Sequence, residues 1–187
     1  MFCLPQSSDE TNAPNINILY TCIQYLYLGA RCYDEQDCYK RSKMKLGSSK
    51  DWAKEASCGC MNFDGEGNRE DCHCIYMPYG DGASFSGFRK DVWPVPGGGN
   101  LTFRGIKNFD ATIAWALEHG LTEATEFVLA GGSAGGLSTF LHADRVAAVL
   151  RAKAPNCKKI RAAPVVGYFL DHGLWHMVSL QKYCIHE

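Results

Sequence analysis

The chain has no long apolar run and no excess of charge of either sign. Its most apolar stretch, residues 16–28, is interrupted by polar side chains and is too short to span a membrane. The balance of 19 basic and 20 acidic residues excludes the basic surplus that is typical of nucleic-acid and membrane-surface binding proteins. We therefore expect no nucleic-acid partner and no membrane span.

A recognisable secretory leader is also missing. Residues 1–14 lack a basic segment followed by an apolar core, and most of them are small and polar. We expect residues 1–15 to be a disordered N-terminal segment. The remaining stretch, residues 16–187, is long enough to bury the core of one domain.

Cysteine, by contrast, is abundant. The chain has ten cysteines, which is a high number for a protein kept in a reducing compartment, and eight of them lie in the first 74 residues. This indicates a secreted protein whose N-terminal half is held by disulfides. Cys32 and Cys38 flank five residues of polar loop and can close a small ring. One glycosylation sequon, Asn100-Leu-Thr102, agrees with secretion.

Two close cysteine pairs, Cys58/Cys60 and Cys72/Cys74, raise the question of a metal. Zinc sites favour about two to four residues between paired cysteines, because a single intervening residue strains the chelate. In a cysteine-rich chain, disulfides are the better interpretation of these pairs, and zinc is the alternative. We expect no metal and no other cofactor.

The most informative stretch is the sequence FVLAGGSAGGL at residues 127–137. Four apolar residues, typical of a strand covered on both faces, lead into Gly131-Gly-Ser-Ala-Gly135, and a helical pattern follows. A Gly-x-Ser-x-Gly sequence between strand and helix is typical of a nucleophile elbow, which exposes the serine, here Ser133, on a sharp turn. The N–H of Ala134 is then available to an oxyanion. No lysine follows the glycines, which argues against a phosphate-binding Walker loop.

Strands and helices alternate around this stretch. Residues 75–79 and 159–170 are predicted as strands, and the pattern after residue 105 predicts a helix that ends at Gly120. We expect this helix and the one after the elbow to bury apolar stripes, which are Ile106, Phe109, Ile113, Ala116 and Leu117 in the first helix and Leu137, Phe140, Leu141, Ala147 and Ala148 in the second. The alternation is that of a parallel α/β sheet, and the loop after residue 79 falls at its carboxyl edge, where such sheets place their sites.

Several ordered blocks together resemble the pectin acetylesterase/Notum family. The elbow and its helix, residues 130–146, are similar to the family's, as are the Asp81-Gly-Ala-Ser-Phe85 loop, Phe103-Arg-Gly105 and residues 46–50 and 167–171. The resemblance implies an α/β-hydrolase-like, mostly parallel sheet flanked by helices, incomplete at its C-terminus. It also implies a secreted, metal-independent carboxylesterase held by disulfides.

The resemblance assigns roles to individual residues. Ser133 would be the nucleophile, Ala134 with Gly29 and Ala30 the oxyanion hole, and Asp81, Gly82 and Ser84 a substrate loop. The substrate would be an acetylated, pectin-like polysaccharide, since the Asp81 loop is closer to the pectin branch than to the Notum branch, and we expect a monomer. Two departures stand out, since Leu28–Cys32 keeps only Gly29 and Cys32 of the family's Gly-Gly-Gly-Trp-Cys and Gly80 replaces a family cysteine.

The triad aspartate and histidine are expected beyond residue 187, because in this family they lie well downstream of the block around Asp171. His142 is nine residues after Ser133, about 13 Å along the helix, and is too far away to act as its base. His172 and His176 follow the last predicted strand, and we assign neither of them as the base. The alternative to an esterase is a non-catalytic carbohydrate-binding or pseudo-esterase fragment that lacks the triad.

Overall fold

The structure is a computed structural model that describes residues 2–3, 16–21, 32, 34–44, 47–51, 60–61, 68–69, 72–165 and 185–186. For residues 2–3, 16–21, 51, 60–61, 68–69, 72 and 185–186 it describes the backbone alone. The expected disorder of residues 1–15 lies outside the described residues, apart from a two-residue strand at Phe2–Cys3.

The described residues form eleven strands and three α-helices. The strands are β1 (Phe2–Cys3), β2 (Ile16–Thr21), β3 (Cys60–Met61), β4 (Asn68–Arg69), β5 (Cys72–Tyr76), β6 (Phe88–Arg89), β7 (Trp93–Pro94), β8 (Asn100–Leu101), β9 (Glu126–Gly132), β10 (Lys159–Val165) and β11 (Ile185–His186). The helices are α1 (Glu35–Ser42), α2 (Gly105–Glu118) and α3 (Ala134–Lys153), with 3₁₀ turns at Ser49–Asp51 and Leu121–Glu123. None of the helices in this described part is long and apolar enough to cross a membrane.

Five of these strands form the main sheet, in the order β1-β5-β2-β9-β10. Strand β2 runs parallel to both β5 and β9, and β9 runs parallel to β10, whereas the short β1 is antiparallel to β5. Helix α3 connects the paired strands β9 and β10, as the long crossover that parallel pairing requires, and α2 precedes β9 in the chain. The predicted mostly parallel α/β class is confirmed.

The core lies between β9 and the two long helices. Residues 126–131 of β9 are all buried, as expected for a strand covered on both faces. Helix α2 contributes Phe109, Ile113 and Ala116 at helical spacing, as predicted, and α3 contributes Val146 and Leu150. Gly120 ends the α2 region with a φ of 103°, a conformation that glycine adopts without strain.

The stripe predicted to be buried on α3 is wrong. Phe140 is 58% exposed and Leu141 52% exposed, while the small and polar residues Gly135, Ser138, Thr139 and His142 are buried instead. The physical reason is close packing, since a helix that begins directly at the end of β9 has little space beside the sheet. Small side chains let the helix approach the sheet and force the larger ones outward.

A second, smaller core surrounds the disulfide between Cys32 and Cys38, whose Cα atoms are 5.0 Å apart. It contains Val95, Leu101 and Phe103 beside the two cysteines and Ala83. The N–H of Cys32 donates to the carbonyl of Gly82 at 3.1 Å, so the disulfide attaches α1 to the loop that follows β5. The small ring predicted from the spacing of these cysteines is confirmed.

Candidate active site

Ser133 occupies the junction between β9 and α3. It has φ 53° and ψ −116°, a region that residues with a side chain rarely adopt, and its side chain is exposed. The chain leaves a strand and enters a helix at this one residue, so the hydroxyl is presented at the carboxyl end of β9. This is the geometry expected of a nucleophile elbow.

The backbone N–H groups of Ser133 and Ala134 have different surroundings. The N–H of Ser133 donates to the carbonyl oxygen of Val165 at 3.1 Å and fixes the turn to the end of β10. Ala134 is the first residue of α3, where a helix leaves its N–H groups without intrahelical acceptors. An amide at this position can stabilise negative charge on a carbonyl oxygen attacked by Ser133. The other predicted oxyanion residues, Gly29 and Ala30, lie outside the described residues.

The loop after β5 is organised by the carboxylate of Asp81. Its Oδ1 accepts hydrogen bonds from the N–H groups of Ala83 (3.1 Å) and Phe85 (3.0 Å), and its Oδ2 accepts from Gly87 (3.2 Å). Burial raises the pKa of Asp81, and the backbone donors oppose that shift because they stabilise the charged form. The side chain is therefore engaged within its own loop.

Two residues of the same loop, Ser84 and Phe85, have φ values of 54° and 56°. Consecutive left-handed residues with side chains are strained and persist where neighbours hold them. The hydroxyl of Tyr79 accepts from the N–H of Ser84 at 3.0 Å, and the Nε2 of His142 lies 3.1 Å from the carbonyl oxygen of Phe85. His142, on α3, thus joins the helix of the elbow to this loop.

Ser84 itself is fully buried, and its Oγ has no hydrogen-bond partner within the described structure. Ser84 therefore presents no polar group to a ligand, whereas Asp81 is half-buried and, with Gly82, lines a cavity of about 270 Å³. The assignment of Asp81, Gly82 and Ser84 as a substrate loop stays a prediction.

Two glycines permit this loop to pack closely. A Cβ on Gly105, at the start of α2, would overlap the carboxylate of Asp81 and lie 2.9 Å from the Cα of Phe85. Gly82 has a φ of 65°, and a Cβ there would overlap the Sγ of Cys32. Glycine at these positions follows from close approach of the backbone to a neighbour.

His142 and His119 both contact residues other than Ser133. His142 is buried, stacks on the ring of Phe109 with 4.3 Å between ring centroids and binds the Phe85 carbonyl. His119 stacks on Trp115, and its Nδ1 lies 2.8 Å from the carbonyl oxygen of that residue. The exclusion of His142 as a base, made from axial distance, agrees with its position, whereas its role in holding the loop was missed. Asp171, His172 and His176 lie outside the described residues.

Metal chemistry finds no support in this part of the chain. No group of three or more His, Cys, Asp or Glu side chains suited to a metal ion occurs among the described residues. Burial raises the pKa of Cys74 to about 11. Cys58 lies outside the described residues, as do the side chains of Cys60 and Cys72, so their pairing stays a prediction.

The chain matches the pectinacetylesterase (PAE) family over residues 21–183. The protein belongs to the pectinacetylesterase family. It is 32% identical to pectin acetylesterase 5 of Arabidopsis thaliana over 146 residues, which are 76% of this chain and 33% of that relative. It is 28% identical to the palmitoleoyl-protein carboxylesterase NOTUM of Mus musculus over 157 residues, 79% of this chain and 30% of the relative. The chain thus spans about a third of the length of these relatives.

A solved structure supports the fold of this member of the pectinacetylesterase family. The Wnt deacylase Notum from Drosophila superposes with a TM-score of 0.67 at 21% identity, covering 85% of this chain and 46% of that one. The expected α/β-hydrolase-like class is confirmed by this similarity together with the parallel sheet. The family assignment made from the elbow, the Asp81 loop and Phe103-Arg-Gly105 is confirmed as well.

Sequence blocks that are distant along this chain meet around the loop after β5. Gly105 contacts Asp81, and Arg104 donates from its Nη1 to the carbonyl oxygens of Phe103 and Arg89. His142 on the elbow helix binds Phe85, 57 residues earlier. No periodicity or spacing predicts that contact, because it depends on how α3 lies against the sheet.

Proposed function

We propose that this chain carries the nucleophile of a serine carboxylesterase, with Ser133 as that nucleophile. The observation that supports the proposal best is the conformation of Ser133, which is exposed, has φ 53° and stands at the N-terminus of α3 at the carboxyl edge of a parallel sheet. Glycine would adopt this conformation without strain, so a role for the side chain best accounts for a serine here. Membership of a family whose relatives are named acetylesterases and carboxylesterases supports the same reaction class.

The reaction proceeds through an acyl-enzyme. The Oγ of Ser133 attacks the acetyl carbonyl carbon while a base takes the hydroxyl proton, and the carbonyl oxygen becomes an oxyanion held by the N–H of Ala134. The C–O bond to the sugar then breaks, and the sugar oxygen receives the proton. Water next releases acetate and restores the serine. We assign the second oxyanion donor to the backbone of Gly29–Ala30, and the base and its aspartate to sequence outside the described residues.

The substrate we propose is an O-acetylated, pectin-like polysaccharide. The Asp81-Gly-Ala-Ser-Phe85 loop resembles the pectin branch of the family, and pectin acetylesterases 5 and 11 of Arabidopsis thaliana are 32% and 30% identical to this chain. We further propose that the protein is secreted and acts as a monomer. The disulfide between Cys32 and Cys38 supports passage through an oxidising compartment.

A fluorophosphonate probe tests the nucleophile directly. An activated serine displaces fluoride from phosphorus and becomes labelled, whereas an ordinary exposed serine does not. We expect labelling at Ser133 in the chain produced together with its natural downstream coding sequence, and loss of labelling in Ser133→Ala. Exposed Ser48, changed to alanine, serves as the matched control. Hydrolysis of p-nitrophenyl acetate by the same proteins then tests for esterase activity. Release of acetate from acetylated pectin tests the substrate class.

The outcomes separate the alternatives. Labelling of the 187-residue chain by itself would place a base within it and would make His172 and His176 the next residues to test. Turnover of p-nitrophenyl acetate without release of acetate from pectin would keep the esterase and reject the polysaccharide. If neither form reacts and Ser133→Ala behaves as the parent does, the chain is a non-catalytic member of the family.

A further inference from the structure

The sequon Asn100-Leu101-Thr102 lies on a short hairpin whose geometry sorts its three side chains. Strand β8 pairs antiparallel with β7, and Asn100 is opposite Pro94 while Leu101 is opposite Trp93. In extended backbone, residues i and i+2 point to one side and the residue between them to the other. Leu101 is 5% exposed and packs in the disulfide core, whereas Asn100 and Thr102 are both exposed.

We propose that Asn100 is an N-glycosylation site. The acceptor amide and the hydroxyl that its recognition requires are both on the solvent side, and the middle residue, leucine, is compatible with the sequon. A glycan at this position would meet solvent and displace nothing from the core. The buried middle residue anchors the strand on the opposite side.

The fold makes no other use of the Asn100 side chain. Within the part of the chain that the structure describes, it forms no hydrogen bond and no ion pair. The hairpin is held by other groups, since the N–H of Val95 donates to Gly99 and the N–H of Gly98 donates to Val95, both at 2.9 Å. The glycines at 98 and 99 pack against the ring of Tyr39. The asparagine is therefore dispensable for the turn and accessible to modification.

The residues around Asn100 include a disulfide, which also forms in the secretory pathway. Asn100 and Thr102 line a cavity of about 270 Å³ together with the cysteines of the Cys32–Cys38 disulfide. Disulfide formation and N-glycosylation both occur in the secretory pathway. The inference thus depends on the secretion proposed above and is independent of esterase activity.

Glycosylation of Asn100 would transfer an oligosaccharide from a lipid carrier to the side-chain amide. The side-chain amide nitrogen of Asn100 forms a bond to C1 of the first sugar of a polyprenyl-pyrophosphate-linked oligosaccharide. The C1–O bond to the pyrophosphate breaks, the lipid pyrophosphate leaves, and the amide nitrogen loses one proton. The host secretory pathway supplies the oligosaccharide donor and the transferase.

The test is expression of the full chain behind a removable leader in a eukaryotic secretory host, followed by treatment with peptide-N-glycosidase F. We expect one discrete increase in mobility and conversion of Asn100 to aspartate in the mass spectrum of its peptide. Asn100→Gln and Thr102→Ala should remove the shift, whereas Thr102→Ser, which keeps the sequon, should retain it. Exposed Asn108, which is outside any sequon, gives the control Asn108→Gln.

Each result decides the inference. A secreted parent chain whose Asn100 peptide carries no glycan overturns it, as does a shift that survives in both Asn100→Gln and Thr102→Ala. If those two variants fail to fold, the peptide mass of the parent chain and the Thr102→Ser variant still give the answer. A glycosylated protein that hydrolyses no ester would overturn the proposed function and leave this inference standing.

Discussion

The Nε2 of His142 lies 3.1 Å from the carbonyl oxygen of Phe85, and this contact joins α3, the helix that follows Ser133, to the loop after β5. Phe85 and its neighbour Ser84 both have positive φ, so the loop is held in a conformation that it would not keep alone. The imidazole is buried and stacked on Phe109, which fixes its direction. The contact makes the loop and the elbow parts of one unit.

Removing the donor from His142 should destabilise the protein. In His142→Phe the ring still packs on Phe109, but the Phe85 carbonyl loses its partner in a buried place, which costs about 1–3 kcal/mol. His142→Gln keeps an amide donor and should recover most of the loss. The measurement is urea unfolding followed by circular dichroism, with exposed His119→Gln as the control. Equal stability of the parent and His142→Phe would show that the contact contributes nothing.

The same histidine makes stability depend on pH. Burial lowers the pKa of His142, and the charge of Arg145 lowers it further, whereas the Phe85 carbonyl and Asp110 oppose the shift. The unfolded chain therefore takes up the proton first as the pH falls. The stability from the neutral imidazole is complete above its unfolded pKa of about 6.5 and is lost as the pH falls towards the lower folded value.

The difference in unfolding free energy between the parent and His142→Gln, measured from pH 8 to pH 5, isolates this effect from other titrating groups. We expect the parent to lose stability relative to the variant on acidification. A difference that stays constant across this range would contradict the assignment. Groups that do not interact with His142 titrate alike in the two proteins, so their contributions cancel.

Gly105 should not tolerate alanine. Glycine in a helix is ordinarily less stable than alanine by about 0.5–1 kcal/mol, so an ordinary site would gain stability. Here the added Cβ would overlap the Asp81 carboxylate and the backbone of Phe85, and we expect a loss of more than about 1 kcal/mol. Thermal unfolding of Gly105→Ala is the measurement.

A second substitution tests whether the overlap with Asp81 causes the loss of stability in Gly105→Ala. In the Asp81→Ala background the carboxylate is gone, so Gly105→Ala should destabilise the protein less than it does in the parent, a coupling that a double-mutant cycle measures. Additive effects of Gly105→Ala and Asp81→Ala would show that the two residues do not interfere.

Ser84→Ala removes a buried hydroxyl that has no hydrogen-bond partner among the described residues, and it should leave stability unchanged or improved.

The sequence predicts the parts of this molecule that depend on local pattern. The apolar run of β9, the stripe of α2 and the Ser133 turn each follow from residues close together, and the structure has them where they were expected. The prediction of the buried face of α3 was wrong because hydrophobicity alone assigns Phe140 and Leu141 to the interior. A helix that begins at a tight elbow must bury small residues instead.

The loop after β5 shows why the rest of the site could not be predicted. Its role at the carboxyl edge of the sheet follows from the strand before it, but the use of Asp81 to bind its own backbone depends on a turn conformation that composition does not reveal. The His142 contact depends on tertiary placement. Both side chains hold the loop through hydrogen bonds to its backbone, and neither bond follows from residue type or spacing.

The strain at Ser133 should separate stability from activity. A residue with a side chain at φ 53° is strained by about 1–3 kcal/mol, and glycine is not. Ser133→Gly should therefore be more stable than Ser133→Ala, which keeps the Cβ and hence the strain. Neither variant has a nucleophile, so we expect both to lose fluorophosphonate labelling and ester hydrolysis.

Comparison of the two variants by thermal unfolding is the measurement, because both lack the hydroxyl and differ in one methyl group. A melting temperature of Ser133→Gly above that of Ser133→Ala would mean that the fold holds this backbone under strain to keep a side chain exposed at the end of β9. If the glycine variant is no more stable, the turn is relaxed and the conformation of Ser133 loses its value as evidence for a nucleophile. Backbone strain of this kind clusters at functional sites, so a more stable glycine variant would support the proposed role of Ser133.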